Sequence, residues 1–185
     1  MSHVKGSAVT TRVRYVRELY GESGYRKVLD ALEPRNRALL EARILPHAWA
    51  PYELFIDLNV TIDRMYGTGD LRLCYEMGRY GAEVNLPTLY RIFYRVASPM
   101  FIFGKAARIW EVHYDSGRLV PEEEGAGKVR LRIEDFAQPH PAHCASVRGW
   151  AARSVELSGA TLLLQEEARC RTRGDSVCEL RLHWR

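Results

Sequence analysis

The chain has 185 residues and a formal net charge of +4, with 46% apolar and 27% charged residues. These are ordinary globular values, which exclude collagen, coiled-coil and disordered readings. No run approaches the ~18 apolar residues of a membrane span, and MSHVKGSAVTTRVRYVREL carries no apolar signal region, so a soluble cytoplasmic protein is expected. The basic residues are 23 arginines and four lysines (Lys5, Lys27, Lys105, Lys128), and they are scattered. A nucleic-acid partner would call for a clustered stripe.

In chain order, residues 1–9 read as a flexible tail and residues 10–185 as a single domain, mainly helical over 10–108 and sheet-forming over 109–185. Val13, Val16 and Tyr20 lie at helical spacing, and Gly21 suits a stop. A second helical stretch runs through Tyr25, Val28 and Leu32, and Pro34 opens another. The longest stripe, Leu54, Phe55, Leu58 and Ile62, predicts a helix over 52–65. Segments 71–82 and 86–96 read as two more helices, and Pro99 opens a further turn or two. Past Arg108 the pattern alternates. IWEVHYD, the turn Asp115-Ser116-Gly117 and RLVPEE read as a β-hairpin, and KVRLRIEDF as a strand. Residues 144–157 read as a helix that Gly159 ends. ATLLLQEEARC and SVCELRLHW are the last strands, joined around Arg173-Gly174-Asp175. The fold class is α+β, N-terminal helices packed with a C-terminal antiparallel sheet.

Chemistry concentrates in the C-terminal third. Cys144, Glu167, Cys170 and Cys178 all carry metal-ligand atoms, and a hairpin brings Cys170 and Cys178 together across seven residues. Three thiolates and a carboxylate suit a closed tetrahedral zinc site, which is structural rather than catalytic. The same spacing also admits three buried thiols with a solvated glutamate, His143 as a substitute ligand, or a Cys170–Cys178 disulfide. Cys74 lies mid-helix among apolar residues and reads as packing. No nucleotide or hydrolase motif occurs, so no enzyme is expected.

The stretch C-(x22)-E-x2-C-x7-C, with RGDSVCEL inside it, resembles the signature of the V4R (4-vinyl reductase) family, over roughly residues 87–184. An uncharacterised myxobacterial family related to V4R is similar in length. The resemblance implies zinc on Cys144, Glu167, Cys170 and Cys178. It also implies a fold shared with Bet3-type tethering subunits and with haem nitric-oxide-binding domains, in which helices and a twisted sheet enclose an apolar pocket. Candidate linings are Phe55, Phe93, Tyr94, Phe101, Phe103, Trp110 and Trp150. Tyr114-Asp115-Ser116-Gly117-Arg118 resembles the porphyrin-carboxylate motif Y-x-S-x-R of the haem sensors. However, no histidine lies between His47 and His113 to ligate iron, so zinc is expected and haem is not. The functional expectation is a non-enzymatic sensor of a small hydrophobic ligand, a homodimer that signals through a separate output protein. The alternative is a Bet3-like scaffold.

Overall fold

The computed structural model describes residues 2–84 and 98–185. The architecture is α+β. A short strand β1 (His3–Lys5) leads into helix α1 (Gly6–Ala31) and then α2 (Pro34–Glu41). Strand β2 (Trp49–Pro51) precedes α3 (Tyr52–Tyr66) and α4 (Arg72–Val84). After the undescribed stretch come α5 (Pro99–His113), β3 (Arg118–Gly125), β4 (Lys128–Glu134) and α6 (Pro141–Leu157). Strand β5 (Leu162–Arg169), a 3-10 turn (Arg171–Arg173) and β6 (Cys178–Trp184) complete the chain.

The apolar stripe of α3 is the centre of the helical layer, with Leu54, Leu58 and Ile62 fully buried and Phe55 nearly so. α1 lies against α3, and its Val9, Val13 and Val16 are buried in the same core. The stop expected at Gly21 is a kink: its φ of 69° breaks the helical path, and the chain resumes as helix on the far side. The start of α4 is set by a buried carboxylate. Asp63, near the end of α3, accepts the N–H groups of Leu71 and Leu73 at 2.9 Å each, satisfying donors that a helix start leaves free.

α4 and α6 meet backbone to backbone. A Cβ on Gly78 would stand 2.0 Å from the carbonyl oxygen of Ser146, and one on Gly149 would stand 1.9 Å from that of Tyr75. The contact is pinned at its end by Arg79, which donates through both terminal nitrogens to Glu156 at 2.9 and 2.8 Å. This fork is partly shielded from water, so Arg79→Ala is expected to cost about 1 kcal/mol in urea unfolding.

The main sheet has strand order β3-β4-β6-β5, antiparallel throughout. Its alternation is of period two. Leu131 sits opposite Leu180 and Val129 opposite Leu182, all four buried in the core. The intervening positions form a charged row, Glu122 opposite Arg130, Arg130 opposite Arg181, and Arg181 opposite Glu166.

Three sequence expectations change. The first residues are not a loose tail: Val4 is fully buried, β1 pairs with β2, and Asp115 holds the His3 backbone N–H at 2.8 Å. IWEVHYD is not a strand, because a helix begun at Pro99, with Ser98 Oγ capping the N–H of Phe101 at 3.3 Å, runs on through His113. Five alternating residues do not overrule a helix already nucleated. The partner of β3 is therefore β4, across Gly125-Ala126-Gly127. The helix expected over 86–96, with Phe93 and Tyr94, lies outside the described residues.

Candidate functional site

The hairpin β5–β6 turns on a small knuckle. Asp175 Oδ2 accepts from the N–H of Cys170 at 2.7 Å, and the N–H of Arg173 donates to the Cys170 carbonyl at 2.8 Å. Gly174, at φ 96°, takes the left-handed position that closes the 3-10 turn. This fold-back sets Cys170 beside Cys178, and Arg171 N–H points at Cys178 Sγ at 3.4 Å. The third thiol comes from α6. Pro141 opens that helix, His140 Nδ1 caps the Ala142 N–H at 3.1 Å, and Cys144 then lies in the first turn facing the hairpin. Gln165 Nε2 donates to the Arg148 carbonyl at 2.7 Å and holds β5 against α6.

The three sulfur atoms lie within 4.8 Å of one another. Cys144 Sγ and Cys170 Sγ are 3.6 Å apart. A disulfide would need about 2.05 Å. Two thiolates on one tetrahedral ion, each about 2.3 Å from it, stand about 3.8 Å apart. The spacing is not that of a bond between these two sulfurs, and it is wide enough to hold an ion or a thiol–thiol hydrogen bond. The thiols also share protons unequally. The hydrogen bond from Cys144, helped by the Arg171 N–H, draws the Cys178 thiol down, while Cys144 is driven up by that same bond and by burial.

Glu167 stands apart from this trio. Its carboxylate is held by Arg173 at 2.5 Å and by Arg148 at 3.6 Å, and it lies at the rim of a groove. That groove has a volume of about 670 Å³ and opens onto Cys144 and Cys170. Of the four residues expected to bind metal, the structure brings three together and leaves Glu167 outside the group. Cys74 is buried, its Sγ–H directed at the Asn59 carbonyl at 3.5 Å.

The expected pocket aromatics fall into separate groups. Phe55 and Trp110 join Tyr52, Tyr114 and Phe136 around His143, with ring centroids 4.9 to 6.0 Å from the imidazole. Phe103 is fully buried and touches Trp150 and Trp184 with centroids at 6.5 and 6.2 Å. Phe101 is 56% exposed on the outer side of α5.

A buried polar seam went unread in the sequence. Arg12, only 5% exposed, donates to Asn59 Oδ1 at 3.2 Å and to Ser146 Oγ, and its guanidinium lies 4.9 Å from the Phe55 ring centre. Burial lowers its pKa to about 10. The signal was present: Arg12 falls on the same helical face as Val9, Val13 and Val16. His143 is buried and neutral, lowered to about 3 by burial and by Arg12.

No family model matches the sequence, and no curated protein matches it. Similar solved structures do exist. One is an H-NOX protein from S. oneidensis in the Fe(II)NO ligation state, at 10% identity and TM-score 0.76, covering 98% of this chain and 99% of that one. Another is an unliganded Fe(II) H-NOX protein from K. algicida, at 10% identity and TM-score 0.73, covering 98% and 96%. A third is an oxygen-binding H-NOX domain related to soluble guanylate cyclases, at 11% identity and TM-score 0.63, covering 98% and 95%. At such identities the likeness establishes the fold, and that fold is the one of haem-nitric-oxide-binding domains.

These findings correct two expectations. The V4R resemblance is not upheld, since no family model matches and the similar structures are H-NOX domains. Zinc as the only cofactor, with haem set aside because no histidine lies between His47 and His113, is not upheld either. Structures sharing this fold are described with Fe(II), and one by its haem redox potential.

This chain's own residues can be tested against haem. His143 offers an unprotonated ring whose Nε2 has no hydrogen-bond partner, which is the chemistry of an axial ligand. The space around it is taken by the five rings. The Y-x-S-x-R groups do not converge either. Tyr114 is packed in that stack, Ser116 Oγ accepts from Ala137 N–H at 3.4 Å, and Arg118 is ion-paired with Glu134 at 2.8 Å. The described residues, as arranged, do not fit a porphyrin, and no step is derived through one.

Proposed function

We propose that this chain is a non-enzymatic sensor domain that takes a small ligand and passes its state to a separate output protein. One observation carries the reading: the whole described chain follows the H-NOX fold, and proteins of that fold are described with NO or oxygen bound. The buried Tyr52 hydroxyl and His143 Nε2 add support, because interior polar atoms without a hydrogen-bond partner among the described residues suit recognition better than packing. Phe55 and Trp110 set apolar rings beside His143, so a ligand taken there is small and largely apolar.

The thiol trio serves this domain as a structural centre. A soft divalent ion on Cys144, Cys170 and Cys178, closed by Glu167, would tie the β5–β6 hairpin to the first turn of α6. The same turn carries His143, so the centre would fix the wall of the interior site. Cysteine sulfur from three separate places in the sequence makes the ion's binding energy part of the folding energy.

Native mass spectrometry of the purified full chain tests the sensor reading, with hydrogen exchange before and after the bound mass is displaced. A displaceable small mass whose loss changes protection in α5 or α6 is the expected result. An empty chain, or a ligand that leaves every segment's protection unchanged, would reject it.

A further inference from the structure

We infer that Arg12 is the anion-recognising residue of the interior site, and that the ligand taken there is a small monocarboxylate. The inference rests on the sensor reading given above and names the class of its ligand. Arg12 is a cation in the core with no carboxylate beside it. Arg79 and Arg153, each more than a quarter exposed, have Glu156 at 2.8 Å and Glu83 at 2.6 Å. Arg12 is 5% exposed, and its acceptors are the Asn59 amide oxygen at 3.2 Å and the Ser146 hydroxyl, both neutral. The titratable groups close enough to act on it are Tyr114 and Cys74. Burial pushes each of these up to about 12, so neither carries a charge at pH 7. Asp63, the buried carboxylate of α3, is committed to the Leu71 and Leu73 N–H groups. Residues 85–97, outside the described ones, contain no Asp or Glu.

A buried ion is ordinarily matched by a counter-charge, because a core solvates it poorly. Here the counter-charge must come from outside the chain. Nε and Nη2 of Arg12 already donate to Asn59 and Ser146, while Nη1 has no hydrogen-bond partner among the described residues. The outer edge of the fork, Nη1 with the second N–H of Nη2, is left for two oxygens of one planar group, which is carboxylate geometry. One guanidinium neutralises one charge, so a dianion would bring the same desolvation problem with the opposite sign. Phe55 joins this charge to the interior site: its ring lies 4.9 Å from the Arg12 guanidinium and 6.0 Å from the His143 imidazole. A ligand whose carboxylate meets Arg12 therefore sets its body against Phe55. The rings pack closely around His143, so that body is a few carbons or a single ring, and it must shift a side chain to enter.

The test uses the full chain, propionate and benzoate as probes, and their neutral amides, propionamide and benzamide, as counterparts of the same shape. Calorimetry at pH 7 reads binding, and the urea midpoint reads it again. At least one carboxylate is expected to bind about tenfold or more tightly than its amide, since hydrogen bonds to a charged group are the stronger ones. Arg12→Met should abolish that preference. Arg12→Lys, which keeps the charge and loses the fork, should bind the carboxylate more weakly than the parent and still better than the amide, and it carries the test if the methionine variant does not fold. Potassium chloride at equal concentration should not reproduce the shift in urea midpoint. An amide that binds as well as its acid, or a carboxylate preference that survives Arg12→Met, would overturn the assignment and leave a neutral apolar ligand for the sensor. No binding by any of the four probes would overturn the carboxylate class, and a displaceable mass in native mass spectrometry would then still uphold the sensor reading. Stabilisation by chloride equal to that by the carboxylates would reduce the effect to general ion binding and overturn it as well.

Discussion

Gly149→Ala is expected to lower stability by about 3 kcal/mol or to prevent folding. The added methyl would sit 1.9 Å from the Tyr75 carbonyl oxygen, less than the contact distance of any two heavy atoms that are not bonded. Nothing soft is available to move, since the obstacle is backbone in the first turn of α4. Overpacking a core costs roughly 1–3 kcal/mol even where side chains can rearrange. Gly78→Ala, whose methyl meets the Ser146 carbonyl at 2.0 Å, should behave alike from the other side of the same crossing. Gly104, with no atom within 4 Å of an added Cβ, is the control, and Gly104→Ala should leave the urea midpoint unchanged or raise it slightly. Equal midpoints for all three variants would show that the two helices are not in backbone contact.

Cys178→Ser is expected to remove the bound metal and to lower stability by more than about 3 kcal/mol, since metal affinity at a structural thiolate site is folding energy. A hydroxyl is a far weaker ligand for a soft ion than a thiolate. Elemental analysis of the purified variant, paired with urea unfolding, reads both effects at once. Cys74→Ser should keep the parent's metal content, because Cys74 is buried against the Asn59 carbonyl, outside the trio. Metal retained by Cys178→Ser, or lost by Cys74→Ser, would remove Cys178 from the ligand set.

Much of this was legible in the residue pattern, for identifiable reasons. The stripe of α3 and the alternation of β4 and β6 each follow a single period, and all three elements stand close to where the pattern put them. The hairpin Cys170–Cys178 was readable because Arg-Gly-Asp is turn chemistry, and the knuckle uses both the glycine and the aspartate. The end of α5 was misread, since Trp110, Val112 and Tyr114 alternate as a strand would and the helix start that governs them lies ten residues earlier. The first residues were misread because β1 gains its order from β2, a pairing across about 45 residues that no local pattern announces. Glu167 was placed in the ligand set by its spacing and by the family resemblance. Spacing carries no information about Arg148 and Arg173, whose charge decides where that carboxylate rests. The family resemblance erred for the same reason: a short cysteine pattern describes one hairpin and a helix start, while the fold is decided by the whole chain.

X-ray absorption of the purified full chain, at the edge of whatever metal it carries, tests the thiol centre most directly. The account predicts one metal per chain, with three sulfur neighbours at about 2.3 Å and a single oxygen at about 2.0–2.2 Å. A chain without metal, its three thiols free to alkylating reagents, would contradict it, as would a coordination shell containing no sulfur.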